Sequence, residues 1–184
     1  MTVTASTPKK PITKKKRRRL LIGLGAALVV LIGYSTYAIA RPTVLHTEIE
    51  IDASPDAVWR VLADRAAYPD WNPFMVRSTG DLVVGNVISN TLRDTNGKET
   101  TFDPELLAVE PGKELRWIGS VGFGGIFDGE HAFRIEPLPG GRSKLVQEEV
   151  FRGVAVPFTA GMLRDTIEPQ FHAMNRALAE QATK

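Results

Sequence analysis

No cysteine occurs among the 184 residues, which excludes a disulfide framework, a thiolate nucleophile and any cysteine-ligated zinc or iron–sulfur centre. The three histidines, His46, His131 and His172, fall on separate predicted elements. No His-Glu-x-x-His run or Asp-rich loop accompanies them, so no metal is expected. Gly122-Phe123-Gly124-Gly125 lacks the strand, spacing and helix of a dinucleotide-binding turn, and no Gly-x-Ser-x-Gly elbow is present. Nucleotide binding, serine hydrolysis and a resident cofactor are therefore not expected. The length allows one ordinary domain with an appendage and rules out a multi-domain enzyme.

Acidic residues are missing from the first 41 positions, which hold nine Lys or Arg. Residues 42–184 hold 14 bases against 21 acids, a net charge of −7. The basic character belongs to a tail, and an acidic body lacks the clustered cations that displace counterions from a duplex. Nucleic acid is not an expected partner.

Residues 1–19 read as a basic cytoplasmic tail ending in Lys14-Lys15-Lys16-Arg17-Arg18-Arg19, and Leu20 to Ala40 then runs 21 residues without a charge. At about 1.5 Å per residue such a helix is roughly 31 Å long, close to the hydrocarbon thickness of a bilayer. Ten of its residues are Leu, Ile or Val, which favours insertion by about 3–6 kcal/mol before the Gly, Ser and Thr penalties. The positive charges precede the segment, so the expected topology is single-pass in the cell membrane, with residues 42–184 extracytoplasmic. The alternative is a signal peptide with an apolar core from Leu20 to Gly33, cleaved after Ala38-Ile39-Ala40 to release a secreted domain.

After Ala40 the pattern is that of one domain, 42–184, without internal repeats. Val44, His46, Glu48 and Glu50 alternate with Leu45, Thr47, Ile49 and Ile51, which predicts a strand with one apolar face. Ser54-Pro55 then starts a helix with Val58, Val61 and Leu62 on its buried stripe. Ala66 to Phe74 reads as irregular. From Met75 to Gly153, strands are separated by Gly80-Asp81, Asn96-Gly97, Pro111-Gly112 and Pro139-Gly140-Gly141, the mark of an antiparallel meander. Phe158, Met162, Ile167, Phe171, Met174 and Leu178 form a helical stripe, with a kink expected at Pro169. The fold class is α+β, with a sheet covering the last helix.

Six runs carry a resemblance: Ile51 to Trp59, Tyr68 to Phe74, Val109 to Trp117, Asp128 to Phe133, Gln147 to Gly153 and Phe171 to Asn175. Together they resemble the START-related SRPBCC superfamily in its polyketide cyclase/dehydrase and lipid-transport branch. The resemblance covers nearly all of residues 44–180. It implies a helix-grip fold, in which a curved antiparallel sheet wraps a long C-terminal helix around an internal apolar cavity. It implies no single activity.

A hairpin centred on Gly140 places His131 opposite Glu149, Phe133 opposite Gln147 and Ile135 opposite Leu145, all on the apolar and hence inward face. His131 and Glu149 are candidates for a polar anchor, or for an acid–base pair if there is chemistry. The further candidate ligand contacts are Trp117, Gln147, Phe133 and Phe151 on the sheet, Trp71, Asn72 and Phe74 at the entrance, and Met162, Phe171 and Met174 on the helix. Core packing is the plain alternative for the aromatic and methionine positions. Three functions stay open: a membrane-anchored binder of a hydrophobic small molecule or lipid, a cyclase- or dehydrase-type enzyme using His131 and Glu149, and an interaction module. Loops 119–129 and 153–158 are apolar and fall at one end of an antiparallel sheet, which makes them candidates, with segment 20–40, for membrane contact.

Overall fold

The computed structural model describes residues 14–184; the first thirteen residues of the predicted tail 1–19 lie outside the described residues. It divides into two compact units, one ending at Tyr37 and one covering Ala38–Lys184. Helix α1 (Lys14–Ile39) is long and apolar enough to cross a membrane. Leu21, Leu24, Leu28, Val30 and Ile32 are all exposed, so its apolar surface is not confined to one stripe.

In the second unit, β1 (Thr43–Ile51) buries Leu45, Thr47 and Ile51 and exposes His46, Glu48 and Glu50. Ser54 caps α2 (Pro55–Ala63) by accepting the Ala57 N–H at 3.3 Å, and Val58 and Leu62 face the core. The stretch read as irregular is in fact ordered into a 3₁₀ turn, Arg65–Ala67, and a one-turn helix α3 (Tyr68–Trp71). The buried Tyr68 hydroxyl ties them down by donating to Leu62 O at 2.7 Å.

Seven more strands follow: β2 (Met75–Thr79), β3 (Ser89–Arg93), β4 (Glu99–Phe102), β5 (Glu105–Glu110), β6 (Glu114–Ser120), β7 (Asp128–Leu138) and β8 (Arg142–Arg152). They do not make one continuous meander. A five-stranded antiparallel sheet has the order β1-β8-β7-β6-β5, and β2-β3-β4 form a separate sheet. The division falls at Asp103-Pro104, where proline withholds a ladder N–H. A single bridge, Val87 to Glu105, links the two.

The chain ends in α4 (Val156–Met162), a π-helical turn (Leu163–Ile167) and α5 (Glu168–Ala182). The discontinuity expected at Pro169 takes the form of this π turn, in which Glu168 N–H reaches back to Leu163 O ahead of the residue that cannot donate. Phe171, Met174 and Leu178 of α5 are fully buried with Leu45, Leu106, Leu115, Phe133 and Leu145 of the sheet. The other sheet face carries charge pairs, among them Arg116–Glu130 at 2.8 Å and Lys144–Glu136 at 2.7 Å, so solvent lies on that side. The result is the helix-grip arrangement, a curved antiparallel sheet around a long C-terminal helix.

One end of the large sheet positions the site. There β6 ends, β7 starts, β8 ends and β1 starts. The loop between β6 and β7 and the loop after β8 are joined by backbone bonds, Val154 N–H to Gly125 O and Ala155 N–H to Ile126 O, both at 3.0 Å.

Candidate functional site

Strand alternation puts His131 and Glu149 on the inward face, and the β7–β8 register sets them opposite one another, with Phe133 opposite Gln147 and Ile135 opposite Leu145. This is the register expected from a hairpin centred on Gly140. Trp117 lies across from His131 on β6. Its indole stacks on the imidazole at 4.7 Å and 12°, and Phe171 meets the ring edge-on at 5.0 Å. His131 Nδ1 is 3.4 Å from Glu149 Oε2, and Gln147 Nε2 is 3.1 Å from His131 Nε2. With the amide donating, Nε2 is the acceptor and Nδ1 carries the proton toward the carboxylate. Nε2 is thus hydrogen-bonded, Nδ1 stands within charge-pairing distance of the carboxylate, and His131 is only 3% exposed.

Gly129 gives the carboxylate its berth. A Cβ there would stand 2.7 Å from Glu149 Oε1, so only glycine leaves the second oxygen in place. Gln147 is braced from behind: Asn175 Nδ2 of α5 donates to Thr47 Oγ1 at 2.9 Å, and Thr47 donates to the Gln147 carbonyl at 3.4 Å.

These groups face a cavity of about 400 Å³. Trp117, His131, Glu149 and Phe151 form its sheet wall, Leu92, Thr100 and Phe102 of the small sheet the opposite wall, and Met162, Leu163 and Ile167 the helical wall. Phe74 and Met75 close one side. The exposed Asp94, Lys98, Ser120, Val121 and Met162 rim the mouth.

Six of the twelve sequence candidates therefore line the cavity: Phe74, Trp117, His131, Glu149, Phe151 and Met162. The other six do not. Phe133, Gln147, Phe171 and Met174 lie behind it as fully buried packing, because α5 sits directly on that half of the sheet and leaves no space there. Asn72 is buried as a local brace, its Oδ1 accepting Phe74 N–H at 3.0 Å and Met75 N–H at 2.9 Å. Trp71 packs edge-on against Tyr68 at 5.1 Å and lines a shallow groove with Arg60 and Gln181. Met162, read with Phe158 as core stripe, is 51% exposed, and Phe158 is 80% exposed. Both precede the π turn, whose one extra residue rotates the α4 positions out of line with the stripe on α5. The small-sheet wall was missed altogether. Its only sequence signal is the apolar pair Leu92 and Phe102 among polar neighbours.

A family model described as polyketide cyclase/dehydrase and lipid transport matches residues 42–183. The chain belongs to that family. Solved structures of similar fold include the Zhui aromatase/cyclase from Streptomyces sp. R1128, at TM-score 0.61 and 20% identity over 78% of this chain and 94% of that one. Protein MLL2253 from Mesorhizobium loti gives 0.58 and 20% over 76% and 96%. The di-domain ARO/CYC StfQ of the steffimycin biosynthetic pathway gives 0.64 and 13% over 93% and 61%. At these identities the likeness is one of fold. No curated protein matches the sequence. Family membership and the apolar cavity together mark the chain as a binder of a hydrophobic small molecule.

Four groups with shifted titration, Arg65, Tyr68, Arg116 and Lys144, lie outside this polyketide cyclase/dehydrase-family cavity and serve the frame. Burial pushes the Tyr68 phenol well above its ordinary range, against the opposing charge of Arg65. The bond to Glu130 raises the Arg116 guanidinium on the solvent face. Among the described residues no cluster of His, Asp and Glu could hold a metal.

The division between lining and bracing residues is testable at Asn72. Asn72→Ala removes two buried acceptor contacts and is expected to cost about 1–3 kcal/mol, with affinity for an apolar probe held within twofold. Thermal unfolding and probe titration of the same sample check both halves.

Proposed function

We propose that the protein is a membrane-anchored, extracytoplasmic binding protein, held by α1, whose single domain 42–184 takes up a hydrophobic small molecule or lipid without transforming it. The observation that carries this reading is the apolar cavity with one polar couple, His131 and Glu149, on its wall. Such a site favours a largely apolar body bearing one hydrogen-bond donor, because the Glu149 oxygen turned away from His131 faces an apolar wall and a donor on the ligand offsets the cost of leaving it there. Glu149 is the acceptor, Trp117 and Phe151 bear on the apolar body, and Gln147 orients His131.

The enzymatic alternative would use the same pair. It is less well supported, since His131 Nε2 takes the Gln147 amide and the ring face is covered by Trp117, which leaves the Nε2 lone pair committed within the wall and not turned to a substrate.

Mass spectrometry of solvent extracts from the purified full chain tests the reading. A discrete hydrophobic species is expected with the wild type, retained at least tenfold less by Trp117→Ala and by Glu149→Gln. An empty wild type that also fails to take up a pyrene-labelled fatty acid overturns it, and conversion of a supplied polyketone by wild type but not by His131→Ala would replace it with the enzyme. Retention of the chain in the membrane through an alkaline carbonate wash is the result expected of the anchor.

A further inference from the structure

The mouth of the cavity continues into an exposed apolar surface. Val121 and Met162 line the cavity and yet are 66% and 51% exposed. Beyond Val121, the tip of the same loop carries Phe123 at 82% exposure, with Ile126 also exposed. No charge occurs in residues 117–127 or 153–163, although the body around them bears a net −7. Uncovered aromatic surface of this kind, contiguous with a pocket, marks a contact site.

We propose that this collar, the 121–127 loop with Met162 of α4, inserts into a lipid bilayer and that the cavity exchanges its ligand directly with that bilayer. The inference rests on the binding and anchoring reading above and adds the partner of the same site. Three observations select lipid over another occupant. First, the two collar segments carry no charge and the charged residues on the rim, Asp94 and Lys98, offset one another, so this face meets a lipid surface with less repulsion than a body of net −7 presents on average. Second, the chain supplies its own membrane-competent helix, and only Ala40, Arg41 and Pro42 separate α1 from β1. β1 starts opposite the end of β8, Thr43 pairing with Phe151, and Gly119 pairs with Gly129 at the same end of the sheet. The tether and the collar thus leave the domain from one end. Third, the loop is built to stand out rather than fold inward: Gly122 and Gly125 adopt φ of +79° and +86°, and Asp128 Oδ2 accepts Gly125 N–H at 2.7 Å to hold its base. An aromatic tip on a held loop presents apolar area at small entropic cost.

The absence of cysteine makes the test clean. Single Phe123→Cys and Lys113→Cys variants of the full chain, the second at the opposite end of the sheet, carry an environment-sensitive fluorophore and are reconstituted into phosphatidylcholine vesicles. With nitroxide-labelled acyl chains, the probe at 123 is expected to lose at least half its emission and the probe at 113 to be unchanged. Equal, unquenched emission at both sites overturns the proposal. A blue shift at 123 without nitroxide quenching also overturns it, and assigns the collar to a second copy or another protein. Separately, Phe123→Asp is expected to slow transfer of a pyrene-labelled fatty acid from vesicles at least fivefold while leaving its affinity in detergent unchanged. Failure of binding in detergent would count against the ligand reading alone, and an unchanged transfer rate against the collar alone.

Discussion

Gly153→Ala is expected to be the most damaging single-methyl change in the molecule. Gly153 sits at φ +131°, a backbone region that costs a residue with a Cβ about 1–3 kcal/mol. The added carbon would also meet backbone: it lies nearer than any real contact to Ile126 O and C and 2.9 Å from Phe127 N. Backbone cannot rotate away as a side-chain end can, so the two loops must separate. The bonds from Val154 to Gly125 and from Ala155 to Ile126 go with them. A total loss of about 3–5 kcal/mol is expected. Thermal unfolding of the full chain in detergent, followed by near-ultraviolet circular dichroism, checks it. Gly129→Ala is the instructive contrast, since the atom it meets first is the free end of Glu149. It should unfold within a few degrees of wild type and lose ligand affinity. A Gly153→Ala protein as stable as wild type would show that the loops are not held as described.

Phe171→Ala is expected to cost about 3–5 kcal/mol, the usual range for deleting a fully buried aromatic side chain. The functional consequence is more specific than the stability loss. Phe171 separates the cavity from the packed half of the core, with its ring 5.8 Å from Phe74 and 5.0 Å from His131. Its removal joins the existing 400 Å³ to new space lined by Met174. An apolar void of this kind binds small apolar molecules rather than water. The variant should therefore be stabilised by benzene, with a rise in melting temperature that the wild type does not show. If benzene stabilises both equally, the barrier assigned to Phe171 is wrong.

Much of the frame was legible because it depends on local rules. Period-two alternation on β1 and β7 requires only that one face be dry, and the structure buries those faces. Ser54-Pro55 announces a helix start through one hydroxyl and one fixed φ. The Pro139-Gly140-Gly141 turn set the β7–β8 register to the residue, since a slip would have turned Phe133 and Ile135 to solvent. The polar couple followed from that register alone.

The site was half legible. Alternation shows that Phe133 and His131 share a face, but not that the cavity reaches one and stops short of the other. Asn72 beside two aromatics resembles an entrance and is an Asx brace, because its side chain finds backbone N–H groups two and three residues on before any ligand does. The wall made by β3 and β4 was invisible because it depends on where a second sheet folds over, and that is decided by contacts distant in sequence.

By itself, then, the sequence determined the apolar span of α1, the acidic body, the inward faces of the strands and the pairing of His131 with Glu149. Each is a property of short-range periodicity, charge count or turn chemistry. Tertiary structure alone decided the split into two sheets, the berth at Gly129 and the depth of the cavity. Those depend on how far apart elements pack, and a periodic pattern specifies which way a side chain points but not how much empty space lies in front of it.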